Sequence, residues 1–313
     1  MNYLGGVHVD YIVSGCHEEW ADMYVSIANA RAQAPSKRGD PLRPAFTAEE
    51  KRLLKVDVVA VLEGALAEIE VAPSRWNGGP RAADLEALWT SGETRTKRLR
   101  EAVRNRLESE STCPFCGMYR NPAGSRGGRL DVDHYLPKSK WPELALIPCN
   151  LVPMCDTCNS RLKHTSGPTA TARSRVFLHP YYDEFVQQMG LVCTIQSSLP
   201  PSFRLETSSL SGRQRRVAES HFTKLNLSDR YGIHAVDQLL PDFHELVIMG
   251  IESGSIRDVA GIVAKASELF ELNRRRRGRL DWRTATYWGL MQATSHHSTL
   301  LARLRAQVQA AGV

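Results

Sequence analysis

Leu53, Leu54, Val58, Val61, Leu62, Ala65, Leu66 and Ile69 recur at the spacing that puts them on one stripe of an α-helix. Thr47 precedes them as an N-cap, with Glu50 placed to close a capping box, and Pro73 ends the pattern. Before this helix, Trp20 to Arg31 is a further candidate, and Pro35 to Pro44 is a polar linker. After it come a loop at Asn77-Gly78-Gly79-Pro80 and two shorter helices, Ala82 to Trp89 and Glu93 to Glu108.

The pattern breaks over residues 111–165. Helical periodicity stops there, and Cys, Gly, Pro, Asp and His dominate. Leu130 to Tyr135 and Leu151 to Met154 read as short strands, and Asp156 to His164 as a short helix. Beyond Pro180 the periodicity is again helical, over 213–226, 234–250, 255–277 and 282–309. A hairpin is expected from Leu191 to Glu206 around Pro200-Pro201. The fold class expected is α+β, a mostly helical chain around a small central β-containing core.

Composition narrows the class. The chain of 313 residues has 42% hydrophobic and 24% charged residues, values of an ordinary globular protein. No apolar run is long enough to span a membrane, and Met1-Asn2-Tyr3-Leu4 lacks the basic and apolar regions of a secretion signal. A cytoplasmic protein is therefore expected. The net charge of +6 permits a polyanionic partner. Basic residues cluster twice, at Arg95, Lys97, Arg98, Arg100, Arg104 and Arg106, and at Arg274 to Arg277 with Arg279. The first cluster leads into Cys113 and favours a nucleic-acid role. The second is more often a solvated helix face.

The seven cysteines are an odd number, which argues against a fully paired disulfide framework. Four form two chelating pairs, Cys113-Pro114-Phe115-Cys116 and Cys155-Asp156-Thr157-Cys158. Four soft thiolates suit a closed, tetrahedral, structural zinc. Such a site would clamp the inserted segment at both ends. That segment carries Leu130-Asp131-Val132-Asp133-His134-Tyr135-Leu136-Pro137-Lys138-Ser139, and then Asn150-Leu151 ahead of Cys155-Asp156-Thr157-Cys158-Asn159-Ser160-Arg161-Leu162-Lys163.

At these residues the chain resembles the HNH endonucleases, the ββα-metal nucleases. Asp133-His134 followed by Pro137, then Asn150-Leu151, then Cys155 to Lys163 carry the resemblance, which covers about 55 residues. It implies a core at 111–180 between helical regions at 1–110 and 181–313. It also implies phosphodiester hydrolysis, of DNA more readily than RNA, leaving 5′-phosphate and 3′-hydroxyl ends. His134 suits the general base, since an imidazole titrates near neutrality. Asp133 and Asn159 offer hard oxygens, which favour one Mg2+ or Mn2+. The family's final His is Asn159 here, a departure that favours magnesium over nickel or zinc. By resemblance, Asn150 braces the loop carrying His134. Lys163, Arg161 and Lys138 are the expected contacts to the nucleic-acid backbone. Neighbours on an ideal strand face opposite ways, so Asp133 and His134 can share a site only where the strand ends or distorts.

Downstream, His179-Pro180-Tyr181-Tyr182-Asp183-Glu184-Phe185 is similar to a segment of the nuclease subunits of Septu-type anti-phage systems, which act with an ATPase partner. Read physically, it is a loop packing aromatics on the core. His164 and His179 read as structural. The competing expectations are a zinc-dependent nucleic-acid-binding subunit without catalysis, and a nuclease subunit silent until an ATPase partner activates it.

Overall fold

A computed structural model describes residues 17–33, 44–62, 74–89, 97, 112–118, 131–163, 175–196 and 199–310. The chain divides between Glu184 and Phe185 into two compact units. The helical region expected at 1–110 therefore shares a unit with the cysteine-rich segment. The extension of the second helix to Pro73, the helix at Glu93 to Glu108 with its basic cluster, Cys16 and His164 lie outside the described residues, Lys97 excepted.

In the first unit, α1 (His17–Gln33) packs against α2 (Ala48–Leu62). The capping box at the start of α2 forms: the Thr47 N–H donates to Glu50 Oε2 at 2.7 Å, and the Glu50 N–H to Thr47 Oγ1 at 3.1 Å. Leu54 and Val58 are fully buried, as the stripe requires. The buried Arg81, just ahead of α3 (Ala82–Ala87), ties that helix to the start of α2. Its guanidinium lies 2.9 Å from Glu50 Oε1, donates to the carbonyls of Pro44 and Ala45, and covers the Phe46 ring. The Arg81 hydrogen bond holds the Glu50 carboxyl down at about 2.

The strands β1 (Asp131–His134) and β2 (Leu151–Met154) pair antiparallel, with Asp133 opposite Val152 and His134 opposite Leu151. Between them runs a compact loop with a short 3-10 turn at Pro142–Leu144 that packs against α2 and α3. A π-helical segment, α4 (Thr157–Lys163), follows β2. Two strands and a helix thus succeed one another around the second cysteine pair.

One group in that loop is expensive to bury. Glu143 is 5% exposed and accepts a 2.7 Å hydrogen bond from Ser74 Oγ. Burial raises its pKa to about 7, against an ordinary 4.5. The folded state thus favours the protonated carboxyl. Its stability is fully present below the unfolded pKa of 4.5 and is lost as pH rises through about 7. Glu143→Gln keeps the acceptor without the charge. It is expected to raise stability at pH 8 by about 2–3 kcal/mol and to change little at pH 4.5, read as urea midpoints at the two pH values. An equal effect at both would show that Glu143 does not titrate in this range.

The second unit begins with a hairpin, β3 (Gly190–Gln196) with β4 (Leu199–Glu206). Pro200 and Pro201, expected at the turn, lie inside β4. A β-bulge interrupts the register between Thr194 and Gln196. Helices α5 (Gly212–Lys224), α6 (Leu227–His234), α7 (Leu240–Glu252), α8 (Val259–Arg277), α9 (Trp282–Gln292) and α10 (Thr294–Ala310) follow. Two helices lie almost on the strand backbone. A Cβ at Gly232 would stand 2.6 Å from the Pro201 carbonyl oxygen, and one at Gly289 would stand 2.7 Å from that of Cys193. Only glycine allows α6 and α9 to come that close.

The expected helix at 282–309 is broken at Ala293, and α6 falls where no helix was expected. The described residues are mostly helical with two small antiparallel sheets, an α+β architecture. No helix among them is long and apolar enough to cross a membrane.

Candidate active site

The four paired cysteines converge. Cys113, Cys116, Cys155 and Cys158 bring their sulfurs within 4.8 Å of one another, with Cys116 and Cys155 at 3.9 Å. A tetrahedral ZnS4 centre with Zn–S bonds of about 2.3 Å has edges of about 3.8 Å, so this donor set fits a metal such as zinc. Cys113, Cys116 and Cys158 are buried, and the Cys155 backbone N–H donates to Cys113 Sγ at 3.4 Å. Hydrogen bonds, first from Cys113 and then from Cys116 and Cys158, push the Cys155 thiol far below its ordinary value, which favours the ligating thiolate.

His134 ends β1 and is 5% exposed. Its Nε2 lies 2.9 Å from the Ala145 carbonyl oxygen. A carbonyl only accepts, so Nε2 carries the proton and the basic lone pair belongs to Nδ1. The Trp89 ring meets the imidazole edge-on, with centroids 4.6 Å apart. Burial lowers the His134 pKa to about 4, so the ring is neutral at pH 7. The charges of Asp133, Lys138 and Lys163 also act on it, which puts all three within electrostatic reach of the imidazole.

Asp133 and His134 engage different neighbours, as alternation along a strand requires. Asp133 Oδ2 accepts from Lys163 Nζ at 2.7 Å. The Lys163 side chain is 1% exposed and that of Asp133 21%. This corrects the expectation for Lys163: its ammonium is buried on the carboxylate and does not face a substrate backbone. Burying a lysine is costly unless a counter-charge meets it, and Asp133 supplies that charge.

Asn159 sits inside α4, half-buried, with its backbone N–H donating to the Cys155 carbonyl at 2.9 Å. It is therefore not the helix N-cap. Arg161 is exposed and lies 3.8 Å from Asp156; Lys138 lies 3.8 Å from Glu86.

Asn150 is fully buried. Its Oδ1 accepts from the Leu136 N–H at 2.8 Å, and its Nδ2 donates to the carbonyls of Leu136 and Leu144, both at 3.1 Å. These bonds brace the loop that leaves His134. Asn150→Ala would strand the buried Leu136 N–H and carbonyl and leave the Leu144 carbonyl with only the Ile147 N–H, a loss of about 2–4 kcal/mol. Thermal melts check this, and a Tm change under about 3 °C would show that the loop does not depend on the amide.

Sequence reasoning missed Trp89 and the Ala145 carbonyl, because neither falls in a spaced motif. It also missed Arg175. That side chain is buried and forms a two-point ion pair with Asp183 at 2.6 and 3.1 Å. Asp183 Oδ2 also accepts the His179 N–H, while His179 Nε2 lies 3.1 Å from the Cys149 carbonyl. Tyr181 donates its hydroxyl to the Leu151 carbonyl at 3.1 Å. The aromatic loop thus clasps the start of β2. Burial keeps the His179 ring neutral.

Over 134 residues the chain is 31% identical to protein ea31 of Escherichia phage lambda, a stretch that covers 41% of this chain and 42% of that protein. The chain thus spans less than half the length of this relative. No family model matches the chain, and no solved structure matches it.

Proposed function

We propose that the chain is an HNH-type endonuclease that hydrolyses nucleic-acid phosphodiester bonds, DNA in preference to RNA. The observation that carries this reading is the state of His134: a neutral imidazole, anchored through Nε2–H to Ala145, at the end of a β-hairpin strand beside Asp133. Such a ring can take a proton from water at Nδ1 without first losing one of its own. Trp89 and the Ala145 carbonyl fix its orientation, and Asn150 fixes the loop. The four-thiol cluster would hold a structural zinc that ties the Cys113–Cys116 turn to the junction of β2 and α4.

Asp133 and Asn159 are the residues that would hold Mg2+ or Mn2+. Asp133 is suited to this because its carboxylate is partly exposed, and an ion there would share it with the Lys163 ammonium. When bound, a divalent ion supplies charge stabilisation at the phosphate and the leaving 3′ oxygen. Arg161 and Lys138 would contact phosphate oxygens, each exchanging a long 3.8 Å approach to Asp156 or Glu86 for them.

The same Asp133–Lys163 contact favours a second reading, a nuclease subunit silent until an ATPase partner acts, since the ammonium neutralises the carboxylate that would hold metal. Both readings face one test, nicking of supercoiled plasmid by the purified chain with magnesium or manganese. Nicked circles from the chain alone support the first. Their absence alone, with recovery on adding the partner ATPase, supports the second. No product under either condition leaves the non-catalytic nucleic-acid-binding subunit.

A further inference from the structure

The second unit carries a feature that catalysis at His134 does not use. Between Glu271 and Arg283, where α8 turns into α9, six arginines stand against two carboxylates. Both carboxylates are taken: Glu271 pairs with Arg274 at 2.8 Å, and Asp281 with Arg283 at 2.8 Å. Arg275, Arg276 and Arg279 are exposed and form no ion pair among the described residues. A helix C-terminus favours cations, but by only about 0.3–1 kcal/mol each at a surface. That effect fades within the last turn, whereas adjacent guanidiniums repel one another, so the bare cluster is not explained by the fold alone.

Apolar groups flank the cluster. Leu272, at helical spacing from Arg275 and Arg276, is 42% exposed. On α9, Trp288 is the exposed residue of an otherwise buried run and is also 42% exposed. Its ring lies 5.4 Å from that of Phe270, one turn before Arg274. Unpaired guanidiniums at the end of α8, with an exposed indole on the neighbouring α9, match a phosphate backbone with bases available for stacking. An acidic protein surface would supply charge but no stacking partner for the indole.

We propose that the end of α8, through Arg275, Arg276 and Arg279, is a nucleic-acid-binding surface separate from the residues around His134, with Trp288 of α9 as a second, stacking contact. The proposal rests on nucleic acid being the substrate, and it gives the second unit the role of substrate capture. The contact is to phosphates, so binding is strongly salt-dependent and only weakly selective for sequence.

The test is fluorescence anisotropy of the full chain with a labelled 20-base-pair duplex and a 20-nucleotide single strand, without magnesium, from 50 to 300 mM NaCl. The triple variant Arg275→Ala/Arg276→Ala/Arg279→Ala is expected to bind about 10- to 100-fold more weakly at the low-salt end. Its log–log salt slope should be shallower by about 2–3, near the 0.9 per lost phosphate contact of duplex DNA. Trp288→Ala is expected to weaken the single strand about 5- to 100-fold and the duplex less. Circular dichroism and melting curves identical to those of the wild type exclude misfolding as the cause.

Equal affinity and equal slope for the triple variant, or no binding of either probe by the wild type, would overturn the proposal. Unchanged single-strand binding by Trp288→Ala removes the indole from the surface. Plasmid nicking separates the two readings. Intact nicking with arginine-independent binding sinks the surface alone, whereas arginine-dependent binding without nicking, with the ATPase partner present or absent, sinks the nuclease alone.

Discussion

Replacing His134 with alanine is expected to lower the plasmid-nicking rate by about 10²- to 10⁴-fold, the usual worth of a positioned general base. The imidazole is held by a hydrogen bond to Ala145 and an edge contact with Trp89. Its removal leaves one buried carbonyl unmet and a small void, costing stability about 1–3 kcal/mol. The fold should therefore persist at 25 °C, and the rate loss should appear in kcat with KM nearly unchanged. His134→Asn is a useful companion, because it can still meet the Ala145 carbonyl but offers no ring nitrogen lone pair to take a proton; burial already makes the His134 nitrogen a weaker base than the near-neutral imidazole expected from sequence. A His134→Ala protein that nicks at the wild-type rate, with zinc and melting curve intact, would remove His134 from catalysis.

Disrupting the thiol cluster should have the largest effect on stability. The purified chain is expected to carry about one equivalent of zinc by inductively coupled plasma mass spectrometry, and Cys155→Ser to carry far less. Loss of a structural metal belongs with the few single changes that cost more than about 4 kcal/mol. The damage should fall on the unit ending at Glu184, because all four ligands belong to it. Hydrogen exchange would then show amides of β1, β2 and α4 losing protection while those of α8 and α9 keep theirs. A fully folded, metal-free wild-type chain would show that the four sulfurs are merely neighbours.

Much of this site was legible in the sequence, for identifiable reasons. The two Cys-x-x-Cys pairs were readable because chelation geometry constrains spacing directly. The capping box at Thr47 and Glu50 was readable because both partners are local. The two short strands of the first unit were placed within a residue or so of where they form. What escaped depends on contacts between distant stretches. Nothing local to Lys163 announces that its ammonium will be buried on Asp133, thirty residues earlier in the chain. Trp89 reaches His134 from the turn after α3, and Arg175 finds Asp183 only once the aromatic loop has folded over β2. The break at Ala293 was hidden because alanine is the best helix former. The prolines of β4 misled in the other direction, drawing the expected turn onto residues that belong to the strand.

Chain order has a consequence for synthesis. A ribosome delivers Asp133 and His134 well before Cys155, Cys158 and Asn159, and the Arg175–Asp183 clasp after those. Any product that terminates ahead of Cys155 holds the imidazole and one carboxylate but only half of the sulfur cage, with β2's sequel missing. Under the proposed function, premature or proteolysed fragments of this kind are inert towards the cell's own chromosome, and the cutting apparatus arms only when the last of its supports has left the exit tunnel.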